Sequence, residues 1–124
     1  MDVVIADGIP EIRSALRLLL SEEGGLRVAG EAQDVASLLD MTRTLDPALV
    51  FVDWELADPR PAGAASDSLP HEIVATAPSA RVIVMSGRPE ARNRALAAGA
   101  DAFVCKGDSP DSLLAALRAA TGRD

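Results

Sequence analysis

The chain has 124 residues, 48% of them hydrophobic and 25% charged, which is enough for one globular domain with a single core. Its formal charge of −7 and its 2% aromatic content argue against direct nucleic-acid binding, which needs a clustered basic surface or a platform of aromatic rings. No apolar run is long enough to span a bilayer, and a single cysteine excludes an internal disulfide.

Short apolar segments alternate with amphipathic segments along the whole chain. The apolar segments predict five strands, at residues 3–6, 26–30, 48–52, 81–85 and 102–104. The amphipathic segments predict five helices, at residues 10–21, 35–45, 69–77, 89–98 and from 110 onward. Residues suited to begin these helices are Pro10, Asp34, Pro110 and either Asp108 or Ser109.

The segment ADPRPAGAASD, residues 57–67, interrupts this regular alternation. It is rich in proline, glycine and alanine, and we predict a long, mobile loop there. A shortened third helix is predicted to begin near Ser68, with Ser68 or Asp67 as its cap.

Strands that are apolar on both faces and alternate with helices predict an α/β fold in which helices cover both faces of a parallel sheet. We find no repeat, linker or second domain, so we expect residues 1–124 to form one domain. In such a sheet, ligands bind at the carboxyl ends of the strands. The residues predicted at those ends are Asp7, Asp53, Ser86 and the pair Cys105-Lys106.

Four segments at these strand ends resemble the receiver domain of bacterial response regulators. They are IADGIP (5–10), VFVDWEL (50–56), VIVMSGRPE (82–90) and AGADAFVCKGDSP (98–110). The last two are most similar to receivers attached to a C-terminal helix-turn-helix DNA-binding domain. The resemblance implies a doubly wound, flavodoxin-like sheet with strand order 2-1-3-4-5.

The resemblance also implies roles for individual residues. Asp53 would accept a phosphoryl group from a histidine kinase, Lys106 would contact that group, and Ser86 and Phe103 would be the switch hydroxyl and aromatic residue. Mg²⁺ would be held by Asp7, Asp53 and the backbone carbonyl of Glu55, and no other cofactor is expected.

Elementary chemistry is consistent with these roles. A carboxylate that attacks phosphorus approaches an anionic group, so a divalent cation has to offset the repulsion. Lys106 adds a fixed positive charge, and the Ser86 hydroxyl can donate to a phosphoryl oxygen.

Gly8 departs from the family pattern, which has a second acidic residue at this position. Mg²⁺ could still be held by Asp7 and Asp53 with water filling the gap, but weakly. The sequence therefore leaves two interpretations open. One is a phosphorylation-controlled switch, and the other is an atypical receiver that acts as a phosphorylation-independent interaction or dimerisation module.

For the first interpretation we expect a cytoplasmic protein with a histidine kinase as partner, a homodimer, and a DNA-binding output domain outside this chain. The switch surface would comprise the fourth helix, fifth strand and fifth helix. The chain would not be an enzyme beyond self-catalysed phosphotransfer and dephosphorylation at Asp53. A small phosphatase is less favoured because no cap domain is present, and a nucleotide or flavin carrier because no G-x-G-x-x-G follows the first strand.

Three further side chains have simpler interpretations. We expect the Glu55 side chain to be solvated rather than catalytic, Trp54 to cover the rim of the site or pack locally, and His71 to lie on the surface of a helix.

Overall fold

Five runs of mainly β-branched and aliphatic residues form one parallel sheet in the computed structural model, which describes residues 1–58 and 68–122. The strands are β1 (Asp2–Ala6), β2 (Arg27–Ala32), β3 (Leu49–Asp53), β4 (Arg81–Ser86) and β5 (Ala102–Cys105). Every neighbouring pair is parallel and the order is β2-β1-β3-β4-β5. The predicted fold class and strand order are confirmed.

Among the residues that the structure describes, four α-helices connect successive strands and a fifth follows β5. They are α1 (Pro10–Ser21), α2 (Val35–Leu45), α3 (Leu69–Thr76), α4 (Arg92–Ala97) and α5 (Pro110–Thr121). Within the described ranges, no helix combines the length and apolarity needed to cross a membrane.

The fourth α-helix is shorter than the helix predicted over residues 89–98. Its first turn is a separate 3₁₀ helix at Pro89–Ala91, and α4 begins only at Arg92. The Ala91 N–H bonds to the Arg88 carbonyl three residues back (3.1 Å), which gives the tighter 3₁₀ geometry common at helix starts.

Side-chain caps fix the beginnings of α2 and α5. Asp34 accepts a hydrogen bond from the Ser37 N–H at 2.8 Å, and Ser109 accepts one from the Ser112 N–H at 3.3 Å. Asp108, the alternative cap for α5, instead accepts from the Cys105 N–H at 3.2 Å.

The third helix begins at Leu69, close to its predicted start. The Ser68 hydroxyl donates to the Glu72 carboxylate at 3.3 Å rather than capping the helix. Most of the predicted mobile loop over 57–67, and the alternative cap Asp67, lie outside the described residues.

The core has two layers because alternate residues of each strand face opposite sides of the sheet. On one side, Val50, Val52 and Val84 pack with α2, α3 and α4, and on the other, Phe51 and Met85 pack with α1 and α5. Asp53 follows Phe51 by two positions and so extends the α1–α5 face. Ser86 follows Val84 by two positions and extends the opposite face.

Candidate functional site

The site is built from the carboxyl ends of four parallel strands. Asp7 directly follows β1, Asp53 and Ser86 are the last residues of β3 and β4, and Lys106 directly follows β5. Because the strands run in one direction, these residues lie at the same edge of the sheet. Asp7 and Ser86 are fully buried, and Asp53 is 5% exposed.

Lys106 lies between two carboxylates. Its Nζ is 2.8 Å from Asp7 Oδ2 and 3.2 Å from Asp53 Oδ2. The main-chain N–H of Lys106 donates to the Ser86 carbonyl at 2.9 Å. This bond to β4 fixes the backbone of Lys106 at the edge of the sheet. The chain has eleven arginines but no other lysine. A lysine suits this position because its compact ammonium can approach both carboxylates at once, whereas a guanidinium is larger and planar.

Both carboxylates are also held by short turns of their own backbone. Asp7 Oδ1 accepts from the Ile9 N–H at 2.9 Å, and Asp53 Oδ1 accepts from the Glu55 N–H at 3.0 Å. Asp7 Oδ2 is buried and pairs with the Lys106 ammonium at 2.8 Å.

Burial and charge shift the protonation equilibria of Asp53 and Lys106. Burial raises the pKa of Asp53 above 3.8, and the nearby charge of Asp7 adds to it, against the opposing effects of the Glu55 N–H and of Lys106. Burial alone would lower the pKa of Lys106, but its bonds and charge interactions with Asp7 and Asp53 raise it above 10.5. The ammonium is therefore charged at neutral pH.

Ser86 is bound by groups that the sequence did not lead us to expect. Its Oγ donates to the Glu55 carboxylate, 2.9 Å from Oε1 and 3.0 Å from Oε2, and accepts from the Arg88 N–H at 3.0 Å. The Arg88 guanidinium lies 3.3 Å from Glu55 Oε2. The Glu55 side chain is exposed, in line with the expectation that it is solvated, but its carboxylate also bonds to a buried hydroxyl 31 residues away.

The two aromatic residues near the site are buried. Phe103 pairs with Val84 across β4 and β5 and is 7% exposed, so it lies on the same face of the sheet as Ser86. Trp54 is 6% exposed in the core layer that contains α2, α3 and α4, and its main-chain N–H donates to the Met85 carbonyl at 2.7 Å. Of the two expectations for Trp54, local packing is the one observed.

Arg13 is a second cation at this edge of the sheet, and no sequence pattern identified it beyond its place on α1. Its Nη1 donates to the Asp7 carbonyl at 2.6 Å, and its Nε lies 3.4 Å from Glu31 Oε1. The positive charge beside Asp7 thus comes from both α1 and the end of β5.

A family model for the response regulator receiver domain matches residues 3–118. The chain belongs to this family. Among curated proteins, the receiver is 32% identical over 123 residues to the virulence factors putative positive transcription regulator BvgA of Bordetella pertussis, covering 94% of this chain and 54% of BvgA. It is 29% identical over 119 residues to the nitrate/nitrite response regulator protein NarP of Escherichia coli, covering 94% and 53%. The chain thus spans about half the length of these relatives.

Solved structures of receivers have the same fold. The signal receiver domain of the putative response regulator NarL from Mycobacterium tuberculosis superposes with a TM-score of 0.78 at 27% identity, covering 98% of this chain and 97% of that one. RcsB from Salmonella enterica serovar Typhimurium, bound to promoter rprA in the presence of phosphomimetic BeF3-, gives 0.83 at 26% identity, covering 96% and 67%.

This receiver has one carboxylate fewer for binding a metal ion than the family pattern, because Gly8 replaces an acidic residue. Within the described part of the chain, no three His, Cys, Asp or Glu side chains come together as a metal site. The available donors are the carboxylates of Asp7 and Asp53 and the Glu55 carbonyl. They are hard oxygen ligands of the kind that Mg²⁺ prefers, so the set fits Mg²⁺ with water completing the shell.

The missing carboxylate at Gly8 is not a consequence of crowding. A Cβ on Gly8 would lie 3.7 Å from the Gln33 carbonyl oxygen, an ordinary van der Waals distance. The structure thus brings Asp7, Asp53 and Lys106 into direct contact and places Ser86 and Phe103 on a shared face. The functional roles assigned to these residues, including the Glu55 carbonyl, remain predictions.

Proposed function

We propose that this receiver is a phosphorylation-controlled switch in which Asp53 accepts a phosphoryl group from a histidine kinase. The observation that supports this most is the contact of the Lys106 ammonium with Asp7 and Asp53, at 2.8 and 3.2 Å. A buried carboxylate beside a fixed cation is suited to phosphoryl transfer, in which Lys106 and a bound Mg²⁺ would together neutralise the anionic phosphoryl group.

In the transfer, an ionised Asp53 oxygen forms a bond to phosphorus while the bond between phosphorus and the donor's leaving group breaks. The Glu55 N–H orients Asp53 by holding Oδ1, which leaves Oδ2 on the Lys106 side as the attacking atom. Lys106 moves its charge toward the phosphoryl oxygens as the Asp53 charge is consumed. Mg²⁺, held by Asp7, Asp53 and the Glu55 carbonyl, would offset the remaining negative charge.

The phosphorylated state would be passed on through Ser86 and Phe103. A phosphoryl group on Asp53 presents acceptor oxygens to which the Ser86 hydroxyl can donate. Movement of Ser86 changes the packing beside Phe103, which lies on the same face. The surface formed by α4, β5 and α5 borders both residues, and we propose that it carries the signal.

The output is proposed from the relatives. BvgA is named as a transcription regulator, and RcsB is described bound to a promoter. We propose that this receiver regulates transcription as a homodimer, through a C-terminal DNA-binding domain in the protein to which it belongs. The receiver itself carries a net charge of −7 and would not contact DNA directly.

A phosphorylation-independent interaction module is the second candidate, and Gly8 is the observation that favours it. Gly8 leaves Asp7 and Asp53 as the carboxylates of the site, and the Lys106 ammonium already pairs with both. The charge of these carboxylates is therefore partly balanced without a metal ion. An enzyme that turns over small phosphate esters has less support. An apolar cavity of about 350 Å³ lies between α1 and α5, but Asp7 and Asp53 do not line it.

Trp54 allows the candidates to be separated, because it is the only tryptophan and directly follows Asp53. Mg²⁺ is titrated while Trp54 fluorescence is recorded, beryllofluoride or acetyl phosphate is then added, and intact mass is measured. The switch requires a saturable Mg²⁺ response and a phosphoryl adduct that Asp53→Asn abolishes. No metal response and no adduct would favour the interaction module, and turnover of phosphate esters would favour the enzyme.

A further inference from the structure

We propose that Glu55 holds the proton of the Ser86 hydroxyl in the resting receiver and competes with a phosphoryl group on Asp53 for it. This inference rests on the proposed function at Asp53. Glu55 would act as a built-in competitor that sets how much phosphoryl donor is needed to move the switch.

The hydrogen-bonding capacity of Ser86 supports the proposal. The residue is fully buried, and its hydroxyl has one proton, which points to the Glu55 carboxylate at 2.9 and 3.0 Å. The oxygen also accepts from the Arg88 N–H at 3.0 Å, which restricts its rotation. A hydroxyl can donate only once. Ser86 therefore cannot bond a phosphoryl oxygen until the Glu55 carboxylate has been displaced.

Glu55 is also placed to sense the state of Asp53. Its main-chain N–H contacts Asp53 Oδ1 at 3.0 Å while its side chain contacts Ser86. Phosphorylation replaces the single negative charge of Asp53 with close to two, and the added charge beside the Glu55 carboxylate repels it. The Glu55 side chain is already 40% exposed, so it can swing into solvent without disturbing the core.

The two contacts of the Glu55 carboxylate contribute unequally. Its pair with Arg88 joins side chains that are 40% and 58% exposed, and ion pairs of this kind are weak in water. Its bond with Ser86 joins a charged acceptor to a fully buried hydroxyl, which is the stronger class of hydrogen bond. Removal of Arg88 should therefore matter less than removal of Glu55.

The test compares Glu55→Ala, Glu55→Gln and Arg88→Ala with the wild type and with Glu90→Ala, an exposed acidic control. Every variant keeps the Glu55 main-chain carbonyl and N–H. The half-saturating beryllofluoride concentration is measured at fixed Mg²⁺ by Trp54 fluorescence, with thermal unfolding as a check on folding. Adduct formation with acetyl phosphate is measured in parallel by intact mass.

We expect half-saturation to fall roughly three- to tenfold in Glu55→Ala and less in Glu55→Gln, whose neutral amide is a weaker acceptor. Arg88→Ala should change it by less than about twofold, and Glu90→Ala not at all. Adduct formation only after Glu55 is removed would also support the competition.

Two other outcomes overturn the proposal in distinguishable ways. If the wild type takes up beryllofluoride and the Glu55 variants bind it equally or more weakly, Glu55 supports rather than opposes the switch. If neither the wild type nor any variant forms an adduct, the proposed function fails and the competition fails with it.

Discussion

Lys106 Nζ lies 3.2 Å from Asp53 Oδ2, so the proposed phosphoacceptor is paired with a cation before any ligand arrives. The pairing does not fully compensate for burial, since the pKa of Asp53 is still raised above 3.8. The site therefore keeps a carboxylate whose ionised form is disfavoured in the folded state. Functional sites often retain such destabilising groups because the group is needed for activity.

We expect Asp53→Asn to stabilise the fold at neutral pH, because it removes a buried charge whose pKa is raised in the folded state. Between pH 3.8 and its folded pKa, Asp53 binds more protons in the native than in the unfolded state, so its contribution to stability falls as pH rises. The advantage of Asp53→Asn should therefore shrink as the pH is lowered toward 4. Urea unfolding at both pH values measures it, with the exposed residue Asp40 replaced by Asn as control.

We expect Lys106→Met to destabilise the fold by about 2 kcal/mol at pH 8, because it leaves Asp7 and Asp53 without their cation. The pKa of Lys106 is raised, so its contribution is fully present below pH 10.5 and is lost as pH rises through the folded pKa. The difference between the wild type and Lys106→Met in urea should narrow at alkaline pH. Asp53→Asn in the Lys106→Met background should recover part of the lost stability. If the effects of the two substitutions on the free energy of unfolding simply add, Lys106 and Asp53 do not interact directly.

We expect Gly8→Asp to tighten Mg²⁺ binding by about tenfold, because it adds a third carboxylate where a Cβ meets only ordinary contacts. Without metal the same change should lower stability, since it places another negative charge beside Asp7. Gly8→Asn is the matched control, with nearly the same size and no charge. Equal Mg²⁺ affinity for Gly8→Asp and the wild type, measured by Trp54 fluorescence, would show that the metal does not bind near residue 8.

We expect Gly99→Ala to destabilise the fold by about 1 to 2 kcal/mol. Gly99 ends the turn after α4 at φ 107, and a Cβ there would lie 3.0 Å from His71 Cε1. Gly87→Ala is the control, since nothing lies within 4 Å of its Cβ position and its φ is not in the left-handed region. Thermal unfolding measures both. Adding His71→Ala should relieve the crowding part of the loss and leave the part caused by φ.

Prediction from sequence succeeded where the signal was local or periodic. The strand β3 followed from a short apolar run, and Asp34 was recognised as a cap from its place before an amphipathic helix. The separate 3₁₀ turn at Pro89–Ala91 was missed because helical periodicity does not distinguish the two helix types over one turn. His71 is exposed as predicted, but its approach to Gly99 could not be foreseen from sequence.

By itself, the sequence determined which side chains stand at the ends of the strands, because alternation of apolar and amphipathic segments locates those ends. It thereby predicted that Asp7, Asp53, Ser86 and Lys106 lie at one edge of a parallel sheet. Only the tertiary structure decided which of them touch. The Lys106 ammonium reaches across from β5 to two carboxylates, and the Glu55 side chain turns back to Ser86 across 31 residues. Such contacts depend on strand register and side-chain direction, which local sequence patterns do not encode.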